Sequence, residues 1–296
     1  VKLVSDSFWF RAQYSDSKLG WPTAIFATDI NNHGNFYQIK HQSLQGKYDH
    51  QFSDNIQASA RIYYTDSSGD WHGIYDGELW LPPRGEIYAG EYIGSEYRLN
   101  YQANKDLSIV GGIEYTYNYE VQSVSYLREF SNHSIFTMLD YRFNEQLSLQ
   151  LGGRSEKYSY FDKYELMPQF GLVYHPNPNV ILNVNYGQGF IAPSTWQLQI
   201  KETLNRSNIS PEIFDSYEFS YKHKFENWKS NLALFWSEQS DRITIDYTNN
   251  TPNNIFNSPY GDIYNGVEWT VNMIYSNRTN IETSISYVDT KEQTAK

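Results

Sequence analysis

A two-residue rhythm runs through almost the whole chain and constrains the fold more than any other feature. Apolar side chains recur at every second position with polar ones between them, the pattern of a strand with two unlike faces. Between 107 and 119, Leu107, Ile109, Ile113, Tyr115, Tyr117 and Tyr119 share one face, while Ser108, Glu114, Thr116 and Asn118 share the other. The same alternation places Ile56, Ala58, Ala60, Ile62 and Tyr64 against Gln57, Ser59 and Arg61. It repeats at 97–101, 147–156, 180–186, 217–224 and 267–275. Helical spacing is sustained nowhere, so no long helix is expected.

The connections carry a second pattern. Short segments with turn chemistry sit near 52–54, 104–106, 144–146, 176–179, 226–228 and 277–279. Between them lie longer stretches bearing Gly, Pro and Asn, at roughly 15–34, 67–90, 120–131, 191–210 and 247–260. The chain thus runs strand, short turn, strand, long loop, and repeats. About thirteen strands are expected, several beyond the ~5–6 residues usual in soluble sheets.

Composition then narrows the class. No run approaches the ~18 apolar residues of a membrane helix. The absence of cysteine excludes a disulfide framework, a thiolate metal site and a cysteine nucleophile. Lys and Arg number 23 against 34 Asp and Glu, a net charge of −11, which argues against nucleic acid as a partner. Aromatics make up 17% of the chain, too many for disorder. An all-β, transmembrane, antiparallel up-and-down β-barrel accounts for both patterns, because a sheet spanning lipid must satisfy its backbone by closing on itself. Its apolar face meets lipid and its polar face a wet lumen, which reconciles a mean hydropathy of −0.65 with a membrane location. Tyrosines near strand ends, among them Tyr64, Tyr115, Tyr186, Tyr221 and Tyr275, suit the two interfacial girdles. The competing architecture is a soluble β-sandwich or propeller.

The stretch 180–225 carries a resemblance. It contains Tyr186-Gly187-Gln188-Gly189-Phe190-Ile191-Ala192-Pro193-Ser194, then Pro211-Glu212, then Tyr217-Glu218. Asp241-Arg242-Ile243 and Asn265-Gly266-Val267-Glu268 follow in order. This succession resembles the β-barrel of TonB-dependent outer-membrane receptors, with Ile209-Ser210 where that family usually has Leu-Lys. The resemblance implies a barrel of 22 strands around a plugged lumen. On that reading residues 1–296 are a single barrel segment, without plug domain or C-terminal strands, of a longer receptor in the bacterial outer membrane. Its partners would be outer-membrane lipid, a small-molecule or metal-chelate ligand, and a TonB-type energy-transducing complex acting through the plug. The ligand class implied is a siderophore–metal chelate, haem, cobalamin or glycan, with no cofactor and no enzymatic activity. The alternatives are a passive porin-like channel and a soluble β-rich carbohydrate-binding protein.

Candidate residues follow from position. Alternation places Arg61, Arg98, Glu114, Arg154, Glu156, Glu218 and Glu268 on the lumen wall, since a cation facing mid-bilayer costs about 2–4 kcal/mol. The external loops are expected to hold the ligand through Trp71, His72, Tyr75, Trp80, Arg84, Tyr126, Arg128, Trp196 and Arg206, because aromatic and guanidinium groups grip organic ligands by stacking and charge. Tyr186, Gly187, Gly189, Phe190, Pro193, Pro211, Glu212, Asn265, Gly266 and Glu268 are the residues of the resemblance. Gly187 and Gly189 are read as permitting a bulge or close backbone approach, and Pro193 as ending the ladder. Asp66-Ser67-Ser68-Gly69-Asp70 resembles a calcium loop only superficially, so no metal is expected. The seven histidines form no catalytic spacing.

Overall fold

The computed structural model describes residues 1–21, 28–75, 78–80, 86–123, 126–206, 209–249, 251–276 and 279–292. The strands are β1 (Lys2–Val4), β2 (Phe8–Gly20), β3 (Phe36–Ser53), β4 (Ile56–Tyr75), β5 (Glu78–Trp80), β6 (Glu86–Asn104), β7 (Leu107–Ser123), β8 (Tyr126–Arg142) and β9 (Leu147–Tyr158). There follow β10 (Glu165–Asn177), β11 (Val180–Ile191), helix α1 (Thr195–Thr203), β12 (Glu212–Lys224), β13 (Trp228–Ser240), β14 (Ile243–Thr248), β15 (Thr251–Asn257), β16 (Asp262–Ser276) and β17 (Thr279–Glu292). Fourteen of these make one up-and-down antiparallel wall, from β1 to β17; β5 pairs only β4, and β14–β15 form a separate hairpin. The count exceeds the expected thirteen by one. β1 and β17 are the two ends of the ladder, and among the described residues no pair joins them.

Because directly paired residues share a face, the registers sort every wall residue. Tyr48, Ala60, Tyr97, Ile113 and Ile135 form one row across β3, β4, β6, β7 and β8. Lys47, Arg61, Glu96, Glu114, Ser134 and Glu156 form the adjacent row on the opposite face. On the first face Ile62, Ile113 and Ile135 are all more than half exposed, and among the described residues no second layer packs over them. A sandwich would bury those rows against each other. The soluble two-layer architecture is therefore excluded, and the apolar rows point outward as a lipid-facing belt.

Strands run further than alternation indicated. Most of 67–90 and 120–131 is ladder, with β4 reaching Tyr75, β7 reaching Ser123 and β8 starting at Tyr126. The reason is visible on β4. Its outward face reads Ala58, Ala60, Ile62 and Tyr64, then changes to Asp66, Ser68 and Asp70. There Gln42 donates to Asp66 at 2.6 Å and the Tyr64 hydroxyl to Glu91 at 3.0 Å. Above the belt both faces are wet, so the apolar–polar contrast disappears while the backbone ladder persists. The expected calcium-like segment 66–70 lies within β4 rather than in a loop.

The main buried apolar cluster sits outside the belt, at the long-loop end. Leu198 and Ile200 of α1, Ile209 and Ile255 are buried together, with Tyr160, Leu204, Ile243 and Ile245 packed around them. α1 starts at a capping box in which Ser194 accepts from the Gln197 N–H and Gln197 returns a bond to the Ser194 N–H. No described helix is long and apolar enough to cross a membrane.

Candidate ligand-binding mouth and lumen wall

The mouth is built where β8, β9 and α1 meet. Arg128, on the lumen-facing side of β8, forms a 2.6 Å ion pair with Glu202 of α1 and lies 5.0 Å over the Tyr160 ring. Around it Phe130, Tyr158, Tyr160 and Phe161 pack edge-on or tilted at 4.7–5.9 Å between centroids, and Tyr158 touches Phe190 of β11. Burial pushes the Tyr160 phenol well above its ordinary range; Tyr158 and Glu156 add to this and Arg128 opposes it. Tyr160 is thus a neutral phenol held beside a cation, at the long-loop end of the wall.

Loop anchoring comes from side chains bonded to backbone. The Glu212 carboxylate accepts from the Ile243 N–H at 2.8 Å and from the Gln239 amide at 2.9 Å, tying β12 to β13 and to the root of the β14–β15 hairpin. Asn257 exchanges two bonds with Ser210 and donates to the Asp241 carbonyl. Asp241 takes a φ of +54°, a left-handed conformation that Asp tolerates. Arg206 donates to the Asn253 carbonyl at 3.0 Å. Arg242 bridges Asp262 and Glu292 at 3.0 and 2.9 Å, which raises its pKa further.

The lumen wall holds a linked polar network. Arg61 pairs with Glu96 at 2.9 Å, and Arg98 reaches the same carboxylate at 3.3 Å. Arg154 joins Glu114 at 2.9 Å to Glu156 at 2.7 Å, and Tyr63 donates to Glu114. Five of the seven expected wall residues therefore meet. Glu218, which accepts a 3.5 Å bond from Asn185, and Glu268 lie on the same face but further round the wall.

The expected mouth residues do not form one site. Trp71 is buried on the inward face of β4 and stacks on Trp21 at 5.7 Å. His72 points the opposite way, stacked on Phe36 at 4.1 Å on the outer side, so the two do not share a face. Adjacent strand residues must diverge in this manner, and a loop assignment concealed it. Trp196 is exposed on the first turn of α1. Tyr75, Trp80 and Tyr126 lie at the end of β4, in β5 and at the start of β8, and Arg84 lies outside the described residues.

The residues of the resemblance separate by role. The Tyr186 hydroxyl donates to Asp215 at 2.7 Å, and its ring continues through Tyr217 to Trp236 as an outward aromatic row, a girdle position. Gly187 and Gly189 sit in an unbroken β11–β12 register with open space where a side chain would project, so neither bulge nor close approach explains them. Gly266, opposite Phe235, does need its missing side chain: a Cβ would collide with the Tyr287 carbonyl and the Phe235 ring. Asn265 pairs Trp236, and the ladder stops at Ile191, two residues before buried Pro193. Pro211 is buried immediately before β12. Glu202, Tyr160 and Asn257 were not anticipated; the Ser194-x-x-Gln197 box was the readable sign that the 191–210 connection holds a helix.

Comparison with known proteins agrees with this architecture. Residues 3–296 match the family described as TonB dependent receptor-like, beta-barrel, and the chain belongs to that family. Comparison with curated proteins gives no match. Among solved structures, a mutant of the ferric enterobactin receptor PfeA from Pseudomonas aeruginosa superposes with a TM-score of 0.74 at 12% identity, covering 96% of this chain and 49% of that one. The siderophore receptor PirA from Acinetobacter baumannii gives 0.73 at 12%, covering 97% and 51%. The copper transporter OprC gives 0.72 at 13%, covering 97% and 51%. The chain thus spans about half the length of these structures, and the likeness is one of fold.

Proposed function

We propose that this chain supplies wall and outer mouth to an outer-membrane receptor that captures a scarce, anionic metal chelate and imports it through a plugged barrel with energy from a TonB-type complex. Arg128, set among Phe130, Tyr158 and Tyr160 on the lumen side of the mouth, carries this reading. A guanidinium over aromatic faces suits a flat, electron-rich chelate bearing negative charge. The Arg128–Glu202 pair links that site to α1, so a ligand that takes over Arg128 frees the helix and its loop. The solved structures of siderophore receptors and of a copper transporter support the metal-chelate class over glycan. On this reading no residue is catalytic, and the wall network of Arg61, Glu96, Glu114 and Arg154 is structural.

Binding of ferric catecholate chelates to the full-length receptor, followed by tryptophan quenching, tests the proposal. Arg128→Ala is expected to weaken binding about tenfold, equivalent to about 1.4 kcal/mol. Glu202→Gln is expected to leave it equal or tighter. If the wild-type protein ignores every ferric chelate offered but retains an oligosaccharide, the reading is wrong.

A further inference from the structure

The outward face carries a feature that neither the mouth nor the bore uses, on β8, β9 and β10. Read from the long-loop end, the outward positions of β9 are Lys157, Ser155, Gly153 and Leu151. Ser155 lies between Ile135 of β8 and Leu166 of β10. The two small residues leave a trough there, one end of an open, largely apolar groove of about 980 Å³ that continues over Gly111 and Ala58 towards Phe52 on β3. The packing of the wall does not require this space. A Cβ at Gly153 would meet only β10 backbone, at 3.7 and 3.9 Å, whereas at Gly152, facing the bore, it would strike Met138 at 2.7 Å. A cation stands at the long-loop end of the trough. Lys157 lies 5.7 Å over the Tyr164 ring and donates to the Asp162 carbonyl at 3.2 Å. No carboxylate pairs with it among the described residues, whereas Arg154, on the bore side of the same strand, holds two glutamates. Beside Lys157, its cross-strand partner His133 bonds the Tyr164 hydroxyl at 2.7 Å. Tyr164 and Tyr115, the other partner of His133, are both exposed, as suits the aromatic girdle at headgroup depth.

We propose that this site holds one phosphorylated, acylated glycolipid of the outer leaflet, with a lipid phosphate on Lys157 beside His133 and an acyl chain in the trough. Place and charge both select this occupant. The trough is sunk into the lipid-facing belt, in the middle of the described wall and away from its two open ends, so hydrocarbon is what meets it. Long loops of such barrels are external, which sets Lys157 at the outer headgroups. From Leu166 through Ser155, Ile135 and Ile113 to Tyr97 the row crosses four strand spacings, about 19 Å. With strands tilted about 35–45° this is a descent of about 11–13 Å, close to the depth of one leaflet of a ~30 Å core. A lipid tail gains nothing hydrophobic by leaving other tails, so dispersion contact with a floor and two walls, together with the charge, fixes the lipid here. The inference rests on the barrel spanning the outer membrane and not on what it imports.

The test titrates the detergent-purified full-length receptor with lipid A and reads retained lipid by native mass spectrometry. The wild-type protein is expected to keep one lipid A per barrel. Lys157→Gln is expected to weaken retention about tenfold, and Lys157→Arg to preserve it. Gly153→Phe, which fills the trough, is expected to abolish it, while Lys229→Gln, on the bore face, leaves it unchanged. Heat-dependent gel mobility confirms that each variant is a folded barrel. Retention that survives both Lys157→Gln and Gly153→Phe would overturn the site. So would phosphatidylglycerol held as tightly as lipid A, inorganic phosphate bound at Lys157 with no lipid kept, or a dimer that Gly153→Phe dissociates, which would give the trough to a second copy of the chain. Lipid retention with this dependence in a protein that ignores every ferric chelate would uphold the site and sink only the import reading.

Discussion

Glycines in the wall do two unlike jobs, and only their neighbours tell them apart. A side chain at Gly94 would meet the Tyr63 ring, which crosses that space to reach Glu114 and Thr116. Gly94→Ala is therefore expected to cost about 1–3 kcal/mol by overpacking, lowering the urea midpoint of the folded barrel. Gly187→Ala meets no atom within 4 Å and is expected to change stability by less than about 0.5 kcal/mol. Glu212 is another residue whose worth lies in what it holds. Glu212→Ala strips the Ile243 N–H and the Gln239 amide of their acceptor, a loss of about 1–3 kcal/mol, and hydrogen exchange at Ile243 should quicken while the central belt stays protected. Tyr160 sets a pH limit on the mouth. Its folded pKa lies above the unfolded value of about 10, so the stability it contributes is complete below that value and declines as pH rises through and beyond it. Protease cleavage around 195–209 should accelerate above about pH 10, and Tyr160→Phe should remove that dependence.

At the scale of the element, one strand serves two solvents. β13 presents Leu234 outward in the row with Phe219 and Val267, and Ala233 inward between Ser220 and Glu268. Leu234→Lys is expected to cost about 2–4 kcal/mol in refolding into liposomes, because it places a cation in hydrocarbon. Ala233→Lys, one residue away, is expected to be tolerated in the wet bore beside Glu268. Equal costs for the two would contradict the assignment of faces. β4 shows the limit of the same logic. Its lower half alternates because lipid and water face it on opposite sides, whereas its upper half extends past the belt and loses the contrast. That is why Trp71 and His72 resembled loop residues although they occupy consecutive rungs of a ladder.

For the whole molecule, the decisive fact is a ladder whose ends, β1 and β17, do not pair among the described residues. An unpaired edge in hydrocarbon leaves backbone donors and acceptors without partners, at several kcal/mol for each group. Residues 1–296 expressed alone are expected to remain aggregated in detergent and to show no heat-modifiable band. Co-expression with the strands that close the barrel is expected to restore it. The external cluster of α1 and the β14–β15 hairpin has its own apolar core and does not depend on lipid for its packing.

What the sequence by itself determined is the two-faced strand. Alternation is a local property, and the residues that lipid and water require are written at successive positions, so the barrel class and the shared face of Arg61, Glu114 and Arg154 were legible. The tertiary structure alone decided which residues share a site. Arg128, Tyr160 and Glu202 are far apart in the chain and meet because strand register and the docking of α1 bring them together. Contacts at such separation depend on how loops close over a wall, a geometry that no repeat of period two encodes.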